Sequence, residues 1–305
     1  MPEDVQTPVS IQRKAWGLLL LTAIFWGGNV VASRSAVGEV SPMAMVSIRW
    51  GMVALCMLAV CWRDVLREWP VLRAHWLRLT LMGFFGFTVY QVLYFGAAHA
   101  TSGVHLAILQ GVAPAFIFAG ARIFYGTPIG LVRGFGLALT MLAVAVVATH
   151  GEPQHLIGME FNIGDLAMIV ASLSYAAYTV ALRRRPGISA LVFFTALSAV
   201  AALTSLPMLA GEMIMGQVQW PTPKGWLSMA YIILFPSLLA QIFFIRGVAM
   251  IGPGRASLFY NLVPVLGAIM AVTLLGEPFA PYHAAGLALA LGGVMIAEIF
   301  GGKKF

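Results

Sequence analysis

The chain has 305 residues, 60% of them hydrophobic and only 10% charged, with a formal net charge of +7 and a mean hydropathy of +0.90. That composition excludes a soluble globular domain, because so little polar side chain cannot cover so much apolar surface. The positive charge does not point to a nucleic-acid partner, since the basic residues gather at the ends of apolar runs, where membrane topology places them.

Apolar runs of about twenty residues between polar breaks predict ten transmembrane helices. In chain order they cover 16–37, 42–62, 76–98, 102–124, 130–149, 163–183, 189–211, 225–248, 254–275 and 281–300. Run length favours helices over barrel strands, which need only about ten residues in strict alternation. The first run passes through Gly27-Gly28-Asn29 without a small-residue cleavage site, so it is expected to stay as a helix. Cys56 and Cys61 fall in the second run and read as free packing thiols.

Charge fixes an expected orientation. Arg13, Lys14, Arg63, Arg67, Arg73, Arg78, Arg122, Arg133, Arg183 to Arg185, Arg246, Arg255, Lys303 and Lys304 fall on one side of the predicted spans. The other side holds Arg34 and Lys224 with Glu39, Glu152, Glu160, Glu212 and Glu277. By the positive-inside rule the tails, 1–15 and 301–305, are cytoplasmic, in a plasma or bacterial inner membrane.

The chain also matches itself at a spacing of about 150 residues. Gln91 returns as Gln241, Pro114 as Pro264, Gly126 and Pro128 as Gly276 and Pro278, and Gly136-Leu137-Ala138-Leu139 as Gly286-Leu287-Ala288-Leu289. Two five-helix units, 16–149 and 163–300, are therefore expected, joined by an external linker over 150–162. Five is odd, so the second unit enters from the opposite face and the repeats are inverted, an arrangement that places a site between the halves near the bilayer midplane.

That symmetry selects the candidate residues. Pro114 and Pro264 break the predicted fourth and ninth helices and displace the carbonyls of Gln110 and Tyr260, beside Ser257 and Asn261, so they are expected hinges at a central site. Gln91 and Gln241 carry primary amides whose donors and acceptors cannot be left in hydrocarbon; they read equally as interhelical glue or cavity lining. Thr22, Trp26, Asn29 and Ser33 share one helix face. Trp26, Tyr94, Tyr175 and Tyr178 sit deep enough to wall a cavity with aromatic rings. Arg49 could hold a substrate carboxylate or pair with a helix end, but is expected to snorkel to the outer surface, about two turns from the Ser41-Pro42 start, and His99 and His105 are expected to be wetted loop residues rather than proton-sensitive groups.

Absences bound the chemistry. No Asp or Glu falls in the middle third of any predicted span, and no zinc motif, nucleophile elbow or phosphate loop is present. An enzyme is not expected, no cofactor or metal is implied, and substrate is expected to move largely down its own gradient. The expected partners are a small-molecule substrate and membrane lipid, no nucleic acid, with a monomer sufficient.

Phe25-Trp26-Gly27-Gly28-Asn29, the mid-helix Pro114 and Pro264, and Gly276-Glu277-Pro278 resemble the EamA-type exporters of the drug/metabolite transporter superfamily. The resemblance runs from about Trp16 to Phe300, and the layout is similar to bacterial amino-acid exporters, including the aromatic amino-acid type. It implies ten helices in two inverted repeats around a substrate cavity near Trp26, Asn29, Gln91, Tyr94, Gln110, Tyr175, Tyr178, Gln241, Tyr260 and Asn261. Thr127 stands where the second copy has Glu277, and Ser174-Tyr175 replaces the Trp-Gly of the first helix, so the halves need not contribute equally. The competing readings are a nucleotide-sugar or phosphate-compound exchanger, disfavoured by the scarcity of deep basic residues, and a membrane scaffold or sensor without flux.

Overall fold

A computed structural model describes residues 9–126, 130–152, 162–251, 259–260 and 262–296, and among them every regular element is helical. In the first half these are α1 (Val9–Ser35), α2 (Pro42–Ala74), α3 (Trp76–Gly83), a π-helical stretch (Phe84–Val89) leading into α4 (Tyr90–Ala100), α5 (Gly103–Gln110), α6 (Ala113–Tyr125) and α7 (Leu131–Ala148). The second half holds α8 (Ile163–Ala181), α9 (Ala190–Ile214), α10 (Pro223–Ile232), a second π-helical stretch (Ile233–Leu239) leading into α11 (Ala240–Ile251), α12 (Leu262–Leu275) and α13 (Pro281–Met295).

Seven continuous segments are long and apolar enough to cross a membrane, and two further apolar helices, Gly134–Val147 and Leu262–Leu275, are shorter. The tenth expected run is occupied by α13. Local chemistry sets the helix starts: Ser102, Asn162, Ser189 and Thr222 each accept a backbone N–H from the first turn of the adjoining helix. The duplicated glycines close the matching ends, with Gly126 at φ 64° after α6 and Gly276 at φ 67° after α12, a left-handed conformation that costs glycine little.

One boundary is corrected outright. The second helix does not stop near residue 62 but runs 33 residues to Ala74, through Pro70. Arg63, Arg67 and Arg73 therefore ride on a helix that projects beyond the apolar run, where charged side chains can reach water.

The halves interlock by exchange. Helix α2 packs on α9 and α7 on α13, each its counterpart in the second half, and α5 packs on α12. Where α4 packs on α8, the counterpart α11 packs on α1, and α6 on α8 is mirrored by α12 on α1. These last contacts fall in pairs about 150 residues apart, the pattern of a pseudo-twofold interface.

Candidate functional site

A cavity of about 110 Å3 lies where α1, α2, α4, α5, α8, α9 and the two π-helical stretches converge. Trp26, Asn29, Gln91, Gln110, Tyr175, Tyr178, Gln241 and Tyr260 all line it. The structure thus brings together, from both halves, most of the residues that sequence reasoning singled out. Tyr94 is placed elsewhere: it is 1% exposed and packs behind the wall, its ring 5.9 Å from that of Tyr90 and 5.5 Å from that of Phe95. Asn261 and Ser257 lie outside the described residues.

The wall is aromatic because the rings stack across elements. Tyr90 meets Tyr175 at 5.2 Å between centroids, Tyr175 meets Tyr178 at 5.6 Å, and Trp26 meets Tyr260 edge-on at 5.6 Å. Gly86 makes the approach of the first π-helical stretch possible, since a Cβ built there would overlap the Tyr178 ring.

The second π-helical stretch has a covalent cause. Pro236 has no N–H to offer the Ile232 carbonyl, and the Ser237 hydroxyl donates to that carbonyl instead, at 2.5 Å. The Pro236 carbonyl in turn accepts the Trp26 indole N–H at 3.0 Å. Pro236 and Gly86 are 150 residues apart, so each half enters the cavity through a π-helical stretch, a feature that often marks functional sites.

Arg49 overturns the snorkelling expectation. It is 4% exposed, on the face of α2 that also buries Val46, Trp50 and Val53, while Met52 and Leu55 face outward. Its Nε donates to Ser237 Oγ at 2.8 Å and its Nη1 to Gln91 Oε1 at 3.0 Å. The guanidinium carbon lies 5.1 Å from the Trp50 ring centroid and 5.7 Å from that of Phe95. For Arg49 the disfavoured alternative of the sequence analysis is the one the structure places at the cavity, while Trp50 and Ser237 were not singled out; the Pro236-Ser237 pair inside an apolar run was the available signal.

The expected breaks at the prolines take a different form. In the first half the helix stops at Gln110 and restarts at Ala113, with Gly111 and Val112 donating back to Ile108 and Leu109 at 3.0 and 3.3 Å. Pro114 therefore stands in the first turn of α6 rather than mid-helix, a position where a missing N–H costs nothing. A Cβ on Gly111 would come within 2.9 Å of Pro264 Cγ, so the first-half break and the second-half proline meet.

Among the described residues the ion pairs between the halves gather at one end, while hydrogen bonds such as Arg78 to the Arg184 carbonyl at 2.8 Å join them at the other. Ser41 donates to the Glu212 carboxylate at 2.5 Å, and Lys224 pairs with Glu39 at 3.3 Å. Glu277 accepts the backbone N–H groups of Gly103 and Val104, each at 2.9 Å, and pairs with Arg34 at 3.4 Å; its carboxylate thus caps the N-terminus of α5. His105, expected to be wetted, is buried and bonded through Nδ1 to Asp165 at 3.0 Å, because Asp165 opens α8 directly beside the first turn of α5. His105, His150 and His283 stack around it at 5.2 Å spacings, bordering a cavity of about 330 Å3. Among the described residues no group of three or more His, Cys, Asp or Glu is arranged to hold a metal ion.

At the opposite, basic end lies a vestibule of about 650 Å3. It shares Trp26, Tyr175, Tyr178, Gln241 and Tyr260 with the central cavity and extends past Phe244 and Val248 to Leu182 and Arg185. A helical membrane body with a polar and aromatic cavity between two interlocked halves, joined by ion pairs at one end and continuous with a vestibule at the other, is the architecture of a transporter.

The chain belongs to the EamA-like transporter family, which it matches twice, over residues 13–149 and 162–298. It is 26% identical over 290 residues to the uncharacterized transporter YyaM of Bacillus subtilis (strain 168), covering 92% of each chain. It is 24% identical over 294 residues to a probable terminal-alkyne amino-acid exporter of Streptantibioticus cattleyicolor, covering 94% of each. The uncharacterized inner membrane transporter YedA of Escherichia coli (strain K12) is 24% identical over 291 residues, covering 93% of this chain and 89% of YedA. A crystal structure at 18% identity superposes with a TM-score of 0.65, covering 96% of this chain and 98% of the other, and shares its fold.

Proposed function

We propose that this transporter exports small metabolites, hydrophobic or aromatic amino acids foremost, by alternating access through the central cavity. The observation that carries the reading is that the cavity shares its aromatic lining with a vestibule at one end, while cross-half ion pairs join the halves at the other. With both termini cytoplasmic, as the positive-inside rule argues, the vestibule faces the cytoplasm and the tied end faces out. The exchange of contacts between halves supports rocking of one inverted five-helix repeat, 16–149, against the other, 163–300. The Gly111 to Pro264 contact, together with Pro114, is the hinge region. The relative named as an amino-acid exporter and the one named as an inner membrane transporter support the substrate class and the location.

Purified protein in proteoliposomes loaded with radiolabelled phenylalanine, leucine or methionine should release label saturably and faster than protein-free liposomes. Because no carboxylate is among the described residues lining the central cavity, release should persist without a pH gradient. Failure of every proteinogenic amino acid to leave faster than the control sinks the amino-acid reading; accumulation driven by an imposed pH gradient alone sinks the downhill one.

A further inference from the structure

Among the described residues no acid neutralises the charge at the central cavity. Arg49 presents a guanidinium to the cavity, and its two side-chain hydrogen-bond partners, Gln91 and Ser237, are neutral. Among the described carboxylates Glu39, Glu277 and Asp165 are engaged with Lys224, Arg34 and His105. Glu212 takes Ser41, and Asp64 and Glu68 take Arg67. None of the described acids pairs with Arg49, and none lines the cavity.

A lone buried ion carries a large desolvation penalty, and two neutral hydrogen bonds do not offset it. A guanidinium carries five N–H donors, of which Ser237 and Gln91 take two. The remaining donors, on Nη1 and Nη2, form the fork that matches a carboxylate in bidentate geometry. The two partners also fix the head group: Ser237 is itself held by the carbonyl that Pro236 frees, and Trp50 and Phe95 flank the guanidinium. This is a preorganised anion-binding site.

The site has no matching group for a cation. A zwitterionic amino acid brings an ammonium as well as a carboxylate, and no carboxylate among the described lining residues answers it. Tyr90, Tyr175 and Tyr260 also line the cavity, which suits an apolar or aromatic body. The cavity shares Trp26, Tyr175, Tyr178, Gln241 and Tyr260 with the vestibule, so a carboxylate held at Arg49 leaves room for a body that extends into the vestibule.

We propose that the central site recognises an organic monocarboxylate with an apolar or aromatic body, the carboxylate forked onto Arg49, and that a substrate ammonium is dispensable. The substrate class is then N-acylated amino acids, 2-oxo acids and aryl alkanoates as much as free amino acids. This inference rests on the reading of the cavity as the transport site.

The test is a charge series on one skeleton, with binding to the purified protein measured by calorimetry: 3-phenylpropionate, N-acetylphenylalanine, phenylalanine and phenethylamine. The two anions should bind at least as tightly as the zwitterion, and the amine should bind at least about tenfold more weakly, the discrimination expected for loss of a charge-assisted pair. In Arg49→Gln, anion affinity should fall about tenfold or more while the ligand-free melting temperature holds or rises, because a buried unpaired charge has been removed. Arg49→Lys should keep part of the affinity. The series on the wild-type protein needs no variant to fold. Preference for phenylalanine over both anions by tenfold or more, binding of the amine as tightly as the anions, or binding of no member of the series overturns the proposal. Efflux separates the two readings: Arg49-dependent anion binding without flux removes the transport role and leaves the site, whereas amino-acid flux unchanged in Arg49→Gln leaves transport and removes this inference.

Discussion

Gln91 and Gln241 hold equivalent places in the two halves, yet their side chains have different work. Gln91 accepts from Arg49, whereas Gln241 lines both the cavity and the vestibule and makes no side-chain hydrogen bond among the described residues. Gln91→Leu should therefore lower flux and also destabilise the protein by about 1.5–3 kcal/mol, the cost of removing one partner of a charged hydrogen bond. Gln241→Leu should lower flux with stability changed by no more than about 0.5 kcal/mol. Thermal melts beside efflux rates separate the two, and equal destabilisation would show that both act as glue. Glu39 offers a pH test. The Thr222 hydroxyl, which donates to it, and the nearby Lys224 hold its carboxyl below the usual range, against a smaller opposing effect of burial. A depressed carboxylate stabilises the fold above its unfolded value, and that contribution is lost as pH falls through the folded one. Wild type and Glu39→Gln should accordingly differ in melting temperature at neutral pH and converge below about pH 4. Divergence on acidification would refute the link.

Among the elements, the two π-helical stretches were invisible to periodicity, because an apolar run reads the same whether its carbonyls bond four or five residues ahead. Pro236 explains the second. The first, around Gly86, has no proline, and its approach to Tyr178 rests on the missing side chain. Gly86→Ala should force the Tyr178 ring aside, at a cost of about 1–3 kcal/mol for overpacking, and should weaken binding in the cavity. Melting temperature and affinity measured together check this; a variant as stable as wild type with unchanged affinity would mean the ring moves freely. The run lengths placed most helices because span length is a property of the bilayer. They misjudged α2, since its helical backbone continues past the apolar run into the charged segment from Arg63 to Arg73, and hydropathy marks only where the apolar run stops.

For the molecule as a whole, topology is the prediction that rests on charge alone. A cysteine introduced at Gln154 should react with an impermeant reagent added outside, and one at Arg184 should not; the reverse pattern would overturn the inverted arrangement with cytoplasmic termini. The tied end supplies a physical reason for one orientation to dominate. Arg34 with Glu277, Lys224 with Glu39 and His105 with Asp165 all join the halves there, so a transition that opens this end must break them together.

The sequence by itself determined the membrane class, the run of apolar helices, the internal duplication and eight of the sixteen residues around the cavity. Each of these is set by one-dimensional quantities: apolar length, charge placement and recurrence at a fixed spacing. Direction within a helix is different. Whether Arg49 turns to lipid or to Ser237, whether Tyr94 reaches the cavity or backs its wall, and whether His105 meets water or Asp165 depends on which neighbour occupies the adjoining face. Two of those neighbours, Ser237 and Asp165, come from the other half of the chain, well over a hundred residues away in the case of Ser237. Only tertiary packing brings them into contact, and a buried polar group takes the direction in which its hydrogen bonds can be met.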